Sequence, residues 1–126
     1  MDRPEPVEVT EVPPNNRTYS QAVRLGDVIY LSGQLGIDPA TGGLASEMRE
    51  QTRQALENVK AVLAAAGSSL DRVAKVNIFI TDFTQLSVMN EVYAQYFPHR
   101  PAKTTVEIAR LDRNALIEIE VVAARA

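Results

Sequence analysis

The stretch Tyr19-Ser20-Gln21-Ala22-Val23-Arg24-Leu25-Gly26-Asp27-Val28-Ile29-Tyr30-Leu31-Ser32-Gly33-Gln34 decides the fold. Two runs rich in apolar residues flank Gly26-Asp27, a pair suited to the positive φ angles of a tight hairpin. Pairing Leu25 with Val28 sets Val23 opposite Tyr30, Gln21 opposite Ser32 and Tyr19 opposite Gln34, all on one side of the sheet. Ala22, Ile29 and Leu31 point to the other side and suit packing against helices. One hairpin therefore carries two chemically different faces.

Upstream, Val7-Glu8-Val9-Thr10-Glu11-Val12 alternates as a short strand that Pro13-Pro14-Asn15-Asn16 ends. Downstream of Ser46, a candidate N-cap, Met48, Thr52, Ala55, Leu56, Val59, Val62, Leu63 and Ala66 recur at helical steps, and Gly67 supplies a stop. Val73 to Thr81 reads as a strand with Ala74, Val76, Ile78 and Ile80 on one side. Asp82 or Thr84 caps a second helix through Leu86, Met89, Val92, Tyr93 and Tyr96, which Pro98 terminates. Two further strands, Lys103 to Ala109 and Ala115 to Ala124, enclose the loop Leu111-Asp112-Arg113-Asn114. The order β-β-β-α-β-α-β-β predicts an α+β fold over residues 1–126, a single domain with a mixed sheet and two helices on one face.

Thirteen Lys and Arg against sixteen Asp and Glu give a net charge of −3 in 126 residues, which offers nucleic-acid phosphates no basic surface. No cysteine is present, so disulfides, thiolate chemistry and most structural zinc sites are excluded. No apolar run is long enough to span a bilayer and the start lacks a signal-peptide pattern, so no membrane partner and a cytoplasmic location are expected. No phosphate-loop spacing occurs, and His99, the single histidine, sits between Pro98 and Pro101 as a solvated loop residue without metal-site partners. Neither a metal nor another cofactor is expected.

The sheet face away from the helices would carry Val23, Leu25, Val28, Tyr30 and Val122. Copies of the same chain in a closed ring would bury such a patch, whereas a half-solvated antiparallel sheet would need no partner. On the last two strands Lys103, Thr105 and Glu107 share one parity, and Glu118 and Glu120 share theirs. If Arg110 pairs with Ala115, Glu107 lies opposite Glu118 and Thr105 opposite Glu120, and a lysine and carboxylates line the surface of Tyr19 and Ser32. A register shifted by one disperses them. Each has a plainer reading too: Tyr19 and Tyr30 as interface aromatics, Ser32 as a backbone partner near Gly33, Glu118 and Glu120 as a wet strand face.

Several segments together resemble the RidA/YjgF reactive-intermediate deaminases: Tyr19-Ser20-Gln21-Ala22-Val23, Leu31-Ser32-Gly33-Gln34, Asp38-Pro39-Ala40-Thr41-Gly42, Gln54-Ala55-Leu56-Glu57-Asn58-Val59, Asn90-Glu91-Val92-Tyr93, Phe97-Pro98 and Pro101-Ala102-Lys103-Thr104-Thr105-Val106-Glu107-Ile108-Ala109-Arg110-Leu111. The resemblance implies a chorismate-mutase-like α+β fold, homotrimers around a central barrel, and clefts between subunits that take a small carboxylate or imine. It implies pocket roles for Tyr19, Ser32, Asn90, Lys103, Thr105 and Glu118. Lys103 stands where deaminating members carry an arginine that clamps the substrate carboxylate, and an ammonium is a point charge rather than a planar fork. Arg17-Thr18-Tyr19 replaces a more usual Gly-Pro-Tyr, and Thr105 stands where many relatives have cysteine. Arg100 is close enough in sequence to supply a guanidinium. Some members have been described as ribonucleases, which the acidic balance here argues against.

The implied reaction is hydrolysis of an enamine or imine to a carbonyl compound and ammonia without a cofactor. Lys103 would hold the substrate carboxylate, Tyr19 and Ser32 would shape the cleft, and Glu118 would position or deprotonate the attacking water. A second enzymatic reading makes Lys103 a Schiff-base nucleophile, which two nearby carboxylates would oppose by stabilising the ammonium. From another class, a non-catalytic module could bind small carboxylates or metabolites in the same clefts and regulate a partner.

Overall fold

The hairpin of the opening stretch forms in the expected register. The computed structural model describes residues 2–12 and 18–126. β2 (Ala22–Leu25) and β3 (Val28–Leu31) pair antiparallel with Leu25 on Val28 and Val23 on Tyr30. Of the turn pair, only Gly26 takes a positive φ, 59°. That suits a turn needing the left-handed half of the map at its first central residue alone. The ladder ends one step further on, where the Ser32 N–H donates to the Gln21 carbonyl at 2.9 Å. Tyr19 and Gln34 do not continue it, because Gln34 begins β4 (Gln34–Leu35) and pairs instead with Ile119.

Upstream, β1 is Glu5–Val7 and pairs with β2, so the strand expected over Val7 to Val12 is shorter and lies earlier. The turn expected at Pro13-Pro14-Asn15-Asn16, like Arg17, lies outside the described residues. α1 (Met48–Ala66) buries the expected stripe, including Ala55, Leu56, Val59, Val62 and Leu63. Its N-cap is Glu47 rather than Ser46, without a side-chain hydrogen bond, and Gly67 ends it in the left-handed conformation. β5 (Val73–Ile80) buries Val76, Ile78 and Ile80, but an irregularity between Val73 and Lys75 buries Val73 and exposes Ala74. Asp82 caps a single 3₁₀ turn by accepting from the Thr84 N–H at 2.9 Å, and α2 (Leu86–Tyr96) follows.

The sheet order is β1-β2-β3-β7-β5-β6, with β4 also on β7, where β6 is Ala102–Glu107 and β7 is Ile117–Ala124. β3 and β4 pair with successive parts of the same edge of β7, so they act as one strand broken at Ser32-Gly33. The expected pairing of Arg110 with Ala115 is not formed. β6 lies parallel to β5, and β5 separates it from β7. A β5–α2–β6 crossover explains this, since a strand, a helix and a second strand pack naturally as a parallel pair. Both helices contribute to one core with the inward residues of the sheet, in which Ile29, Leu56, Leu63, Ile78, Ile80, Met89, Ile117 and Ile119 are fully buried. The fold is thus α+β, a mixed sheet with two helices on one face. Asn58, buried on α1, donates to the Leu35 and Ile37 carbonyls at 2.9 Å each and holds the broken strand in place.

Candidate functional site

The topology sorts the expected polar residues into two groups. In register, Thr105 lies beside Ile78 and Lys103 beside Val76, so their side chains share the parity of the helix-covered face. Glu118 lies beside Phe79 and Glu120 beside Asn77, which share the opposite parity. The expectation that Lys103 and Thr105 share a surface with Glu118 and Glu120 is therefore overturned within one chain. The cause is β5: with β6 and β7 on either side of it, no register between them exists to choose.

The first group sits where β6 meets α2. Asn90 and Tyr93 are one helical turn apart and project together. The Lys103 ammonium donates to Asn90 Oδ1 at 2.8 Å and lies 4.6 Å from the centroid of the Tyr93 ring. An amide oxygen on one side and an aromatic face on another suit a compact ammonium, with charge–quadrupole attraction adding to the hydrogen bond. Tyr93 stacks on Phe97 at 4.8 Å, and burial pushes its hydroxyl up to about 12. That phenol stays neutral, and its oxygen and the Thr105 hydroxyl are buried without hydrogen-bond partners. Lys103 itself is exposed, its ammonium fixed at the rim.

The second group surrounds the break between β3 and β4. Ser32 Oγ donates to the Ser20 carbonyl at 2.7 Å, which fixes the chain next to Tyr19, itself 49 % exposed. Glu118 reaches across the break. A Cβ placed on Gly33 would come within 2.6 Å of the Glu118 carboxyl carbon, so only glycine leaves this carboxylate its place. Burial raises the Glu118 carboxyl above its ordinary value, and the negative charges of Glu120 and Asp112 push the same way. Glu120 accepts from Asn77 Nδ2 at 3.2 Å on the same open face.

Of the six residues anticipated, Lys103, Asn90 and Thr105 thus come together, as do Tyr19, Ser32 and Glu118, but not all six. Tyr93 belongs in the sequence to a helix stripe and to a family segment, and neither gives it a site role. Its spacing from Asn90 was the signal that it shares that residue's side of the helix. His99 is an exposed loop residue, as expected, yet its Nε2 lies 2.9 Å from the Val73 carbonyl and ties the loop to β5. Among the described residues no group of three or more His, Cys, Asp or Glu side chains is arranged to hold a metal ion, and no helix is long and apolar enough to cross a membrane.

A model of the endoribonuclease L-PSP family matches residues 9–125. A RutC family protein of Pyrococcus horikoshii is 48 % identical over 107 residues, covering 83 % of this chain and 85 % of that protein. TdcF of Escherichia coli, which carries the name of a reactive intermediate deaminase, is 37 % identical over 123 residues, 94 % of this chain and 95 % of its own. The crystal structure of TdcF with bound serine matches with a TM-score of 0.92, covering 97 % of this chain and 99 % of TdcF. RidA from an Antarctic Psychrobacter matches at 38 % identity with a TM-score of 0.91, over 95 % of this chain and 98 % of that one.

Proposed function

The chain belongs to the endoribonuclease L-PSP family, the family of YjgF and RidA, and from that premise we propose that it hydrolyses reactive enamine and imine intermediates to a carbonyl compound and ammonia. The observation that carries this reading is the division of labour within one chain. A fixed ammonium lies on one side of the sheet and a carboxylate raised by burial on the other. Two such halves close into a site when a second copy presents its own.

The assembly that joins them is a homotrimer. Each cleft takes Lys103, Asn90 and Thr105 from one subunit and Tyr19, Ser32 and Glu118 from the next. Support comes from the open face, where Tyr30 is 46 % and Leu25 37 % exposed beside half-buried Val23 and Val28, an apolar cluster that a second copy would cover. Lys103 anchors the substrate carboxylate. Glu118 takes a proton from water as the new carbon–oxygen bond forms at the protonated imine carbon. The protonated Glu118 then returns its proton to the aminoalcohol nitrogen, which restores the Glu118 carboxylate. The carbon–nitrogen bond breaks as ammonia leaves, and the hydroxyl gives up its proton to the ammonia as the carbonyl forms. A base with a raised pKa suits work near neutrality, and general-base assistance contributes on the order of a hundred- to ten-thousand-fold. Neither metal nor cofactor enters these steps.

Ammonia release from 2-iminopropanoate or 2-iminobutanoate generated in solution tests the proposal, with sedimentation of the same samples reporting the trimer. Wild type should accelerate release, Glu118→Gln should lose most of the acceleration at unchanged sedimentation, and Lys103→Gln should raise KM. Equal rates for wild type and Glu118→Gln overturn the role of Glu118. Because Lys103 presents a point charge already shared with Asn90 and Tyr93, the second reading is a module that binds small carboxylates without turnover. Binding of 2-oxobutanoate with no ammonia release favours that reading and overturns the first.

A further inference from the structure

Beside the Lys103 anchor, the end of α2, the loop after it and the start of β6 line a cavity of about 390 Å³ that is open to solvent. Its walls come mainly from Tyr93, Phe97, Pro98 and Pro101, and among the described residues its charged lining comes from Arg100 and Lys103. The loop that carries Arg100 is well braced. The Arg100 N–H donates to the Phe97 carbonyl at 3.2 Å, His99 Nε2 lies 2.9 Å from the Val73 carbonyl, and the Phe97 ring packs against both Tyr93 and His99. Within it Arg100 adopts φ 60°, in the left-handed region that a long side chain seldom occupies. Such conformations persist where the surroundings enforce them, and they gather at ligand sites. Among the described residues the Arg100 guanidinium has no hydrogen-bond or ion-pair partner, so its donors are free for a ligand.

We propose that this cavity receives the side chain of the imino acid anchored by Lys103, and that Arg100 selects a side chain ending in a second carboxylate. The preferred substrates are then 2-imino dicarboxylic acids. This inference rests on the deaminase reading of the site and adds its specificity. Two cations and apolar walls that line one cavity complement a molecule with two anionic groups joined by methylenes. A substrate with only a methyl or ethyl group leaves the apolar walls and the guanidinium unused. Arg100 also offers the planar two-point fork that Lys103 lacks, and it offers it to the far carboxylate.

Calorimetric titration of the assembled protein with 2-oxoglutarate and with 2-oxobutanoate, which share an α-oxo acid head, tests the selectivity. Wild type should bind 2-oxoglutarate at least about tenfold more tightly, the scale of one hydrogen-bonded charge pair. Added salt should shrink that advantage. Arg100→Gln should bring the ratio close to one, and Arg100→Lys should restore part of it, with circular dichroism confirming that both variants keep the fold. Equal affinities in wild type, or a ratio unchanged in Arg100→Gln because Arg100 shares the α-carboxylate with Lys103, overturn the proposal. If 2-iminobutanoate is hydrolysed without any preference for the dicarboxylate, the selectivity fails and the deaminase reading stands. If the dicarboxylate is preferred in binding but neither imine releases ammonia, the deaminase reading fails and the selectivity stands.

Discussion

The two faces of one sheet solve opposite problems. On the covered face Ile29, Ile78, Ile80, Ile117 and Ile119 are buried to 1 % exposure or less in the core shared with α1 and α2. On the open face Tyr30 and Leu25 stay exposed, Val106 on β6 is 39 % exposed, and Glu118 and Glu120 stand among them. Alternation along β7 produces both faces from one segment, since Ile117, Ile119 and Val121 go inward while Glu118, Glu120 and Val122 go outward. The core is thus written on one parity of the strand, and the groups that the proposed assembly would use on the other.

Ile78→Ala attacks the covered face. The residue is 1 % exposed, and its truncation should lower the unfolding free energy by about 2–5 kcal/mol through lost burial and a residual cavity. Urea denaturation measures it, and a loss below about 1 kcal/mol would mean that the covered face is less tightly packed than the geometry requires. Tyr30→Asp probes the other face. It should leave the secondary structure unchanged by circular dichroism while converting the proposed trimer to monomers in sedimentation, because an unpaired carboxylate in a dry contact costs several kcal/mol. A variant that sediments as wild type would erase the difference between the faces.

The same contrast explains what was legible in the sequence. The β2–β3 register followed from a two-residue turn and a hydrophobic alternation, both local signals, and every pair from Ala22–Leu31 to Leu25–Val28 obeys it. The helices followed from apolar spacing, and their ends differ only at Ser46 against Glu47 and where the 3₁₀ turn precedes α2. The C-terminal strands are adjacent in sequence but not in space. The helix between β5 and β6 was the available signal for a parallel pair, and it removes β6 from β7. Ala74 misled because strand parity slips at an irregularity that no local residue announces. The family resemblance pointed to six candidate positions, but not to which of them one chain brings together, since that depends on strand order.

Polar residues divide between the faces too, with smaller effects. Arg24 shares the covered parity and uses its Nη1 to donate to the Ala66 carbonyl at 3.0 Å, at the end of α1. A cation there complements the helix dipole as well as an orphan carbonyl. Arg24→Met should cost about 1 kcal/mol, since its methylenes still cover the core while the hydrogen bond is lost. Thermal melting at low and high salt measures it. No loss would show that removing the buried, unpartnered Nε offsets the missing bond.

Glu118 gives the smallest and most discriminating effect, because stability and function should move in opposite directions. Burial raises its folded-state pKa, with Glu120 and Asp112 adding repulsion. Well below the ordinary carboxylate range it is protonated in both folded and unfolded chains and carries no penalty. As pH rises, the unfolded chain releases its proton first, so the folded chain binds more protons and becomes less stable. The penalty is complete above the folded-state pKa. Glu118→Gln has no proton to lose, so its melting temperature should match wild type in acid and exceed it slightly near neutrality, while its imine turnover collapses. A Glu118→Gln variant that melts lower than wild type at neutral pH would instead mean that a donor from a neighbouring subunit stabilises the ionised carboxylate in the assembled protein. The open face would then contribute to stability as well as to chemistry.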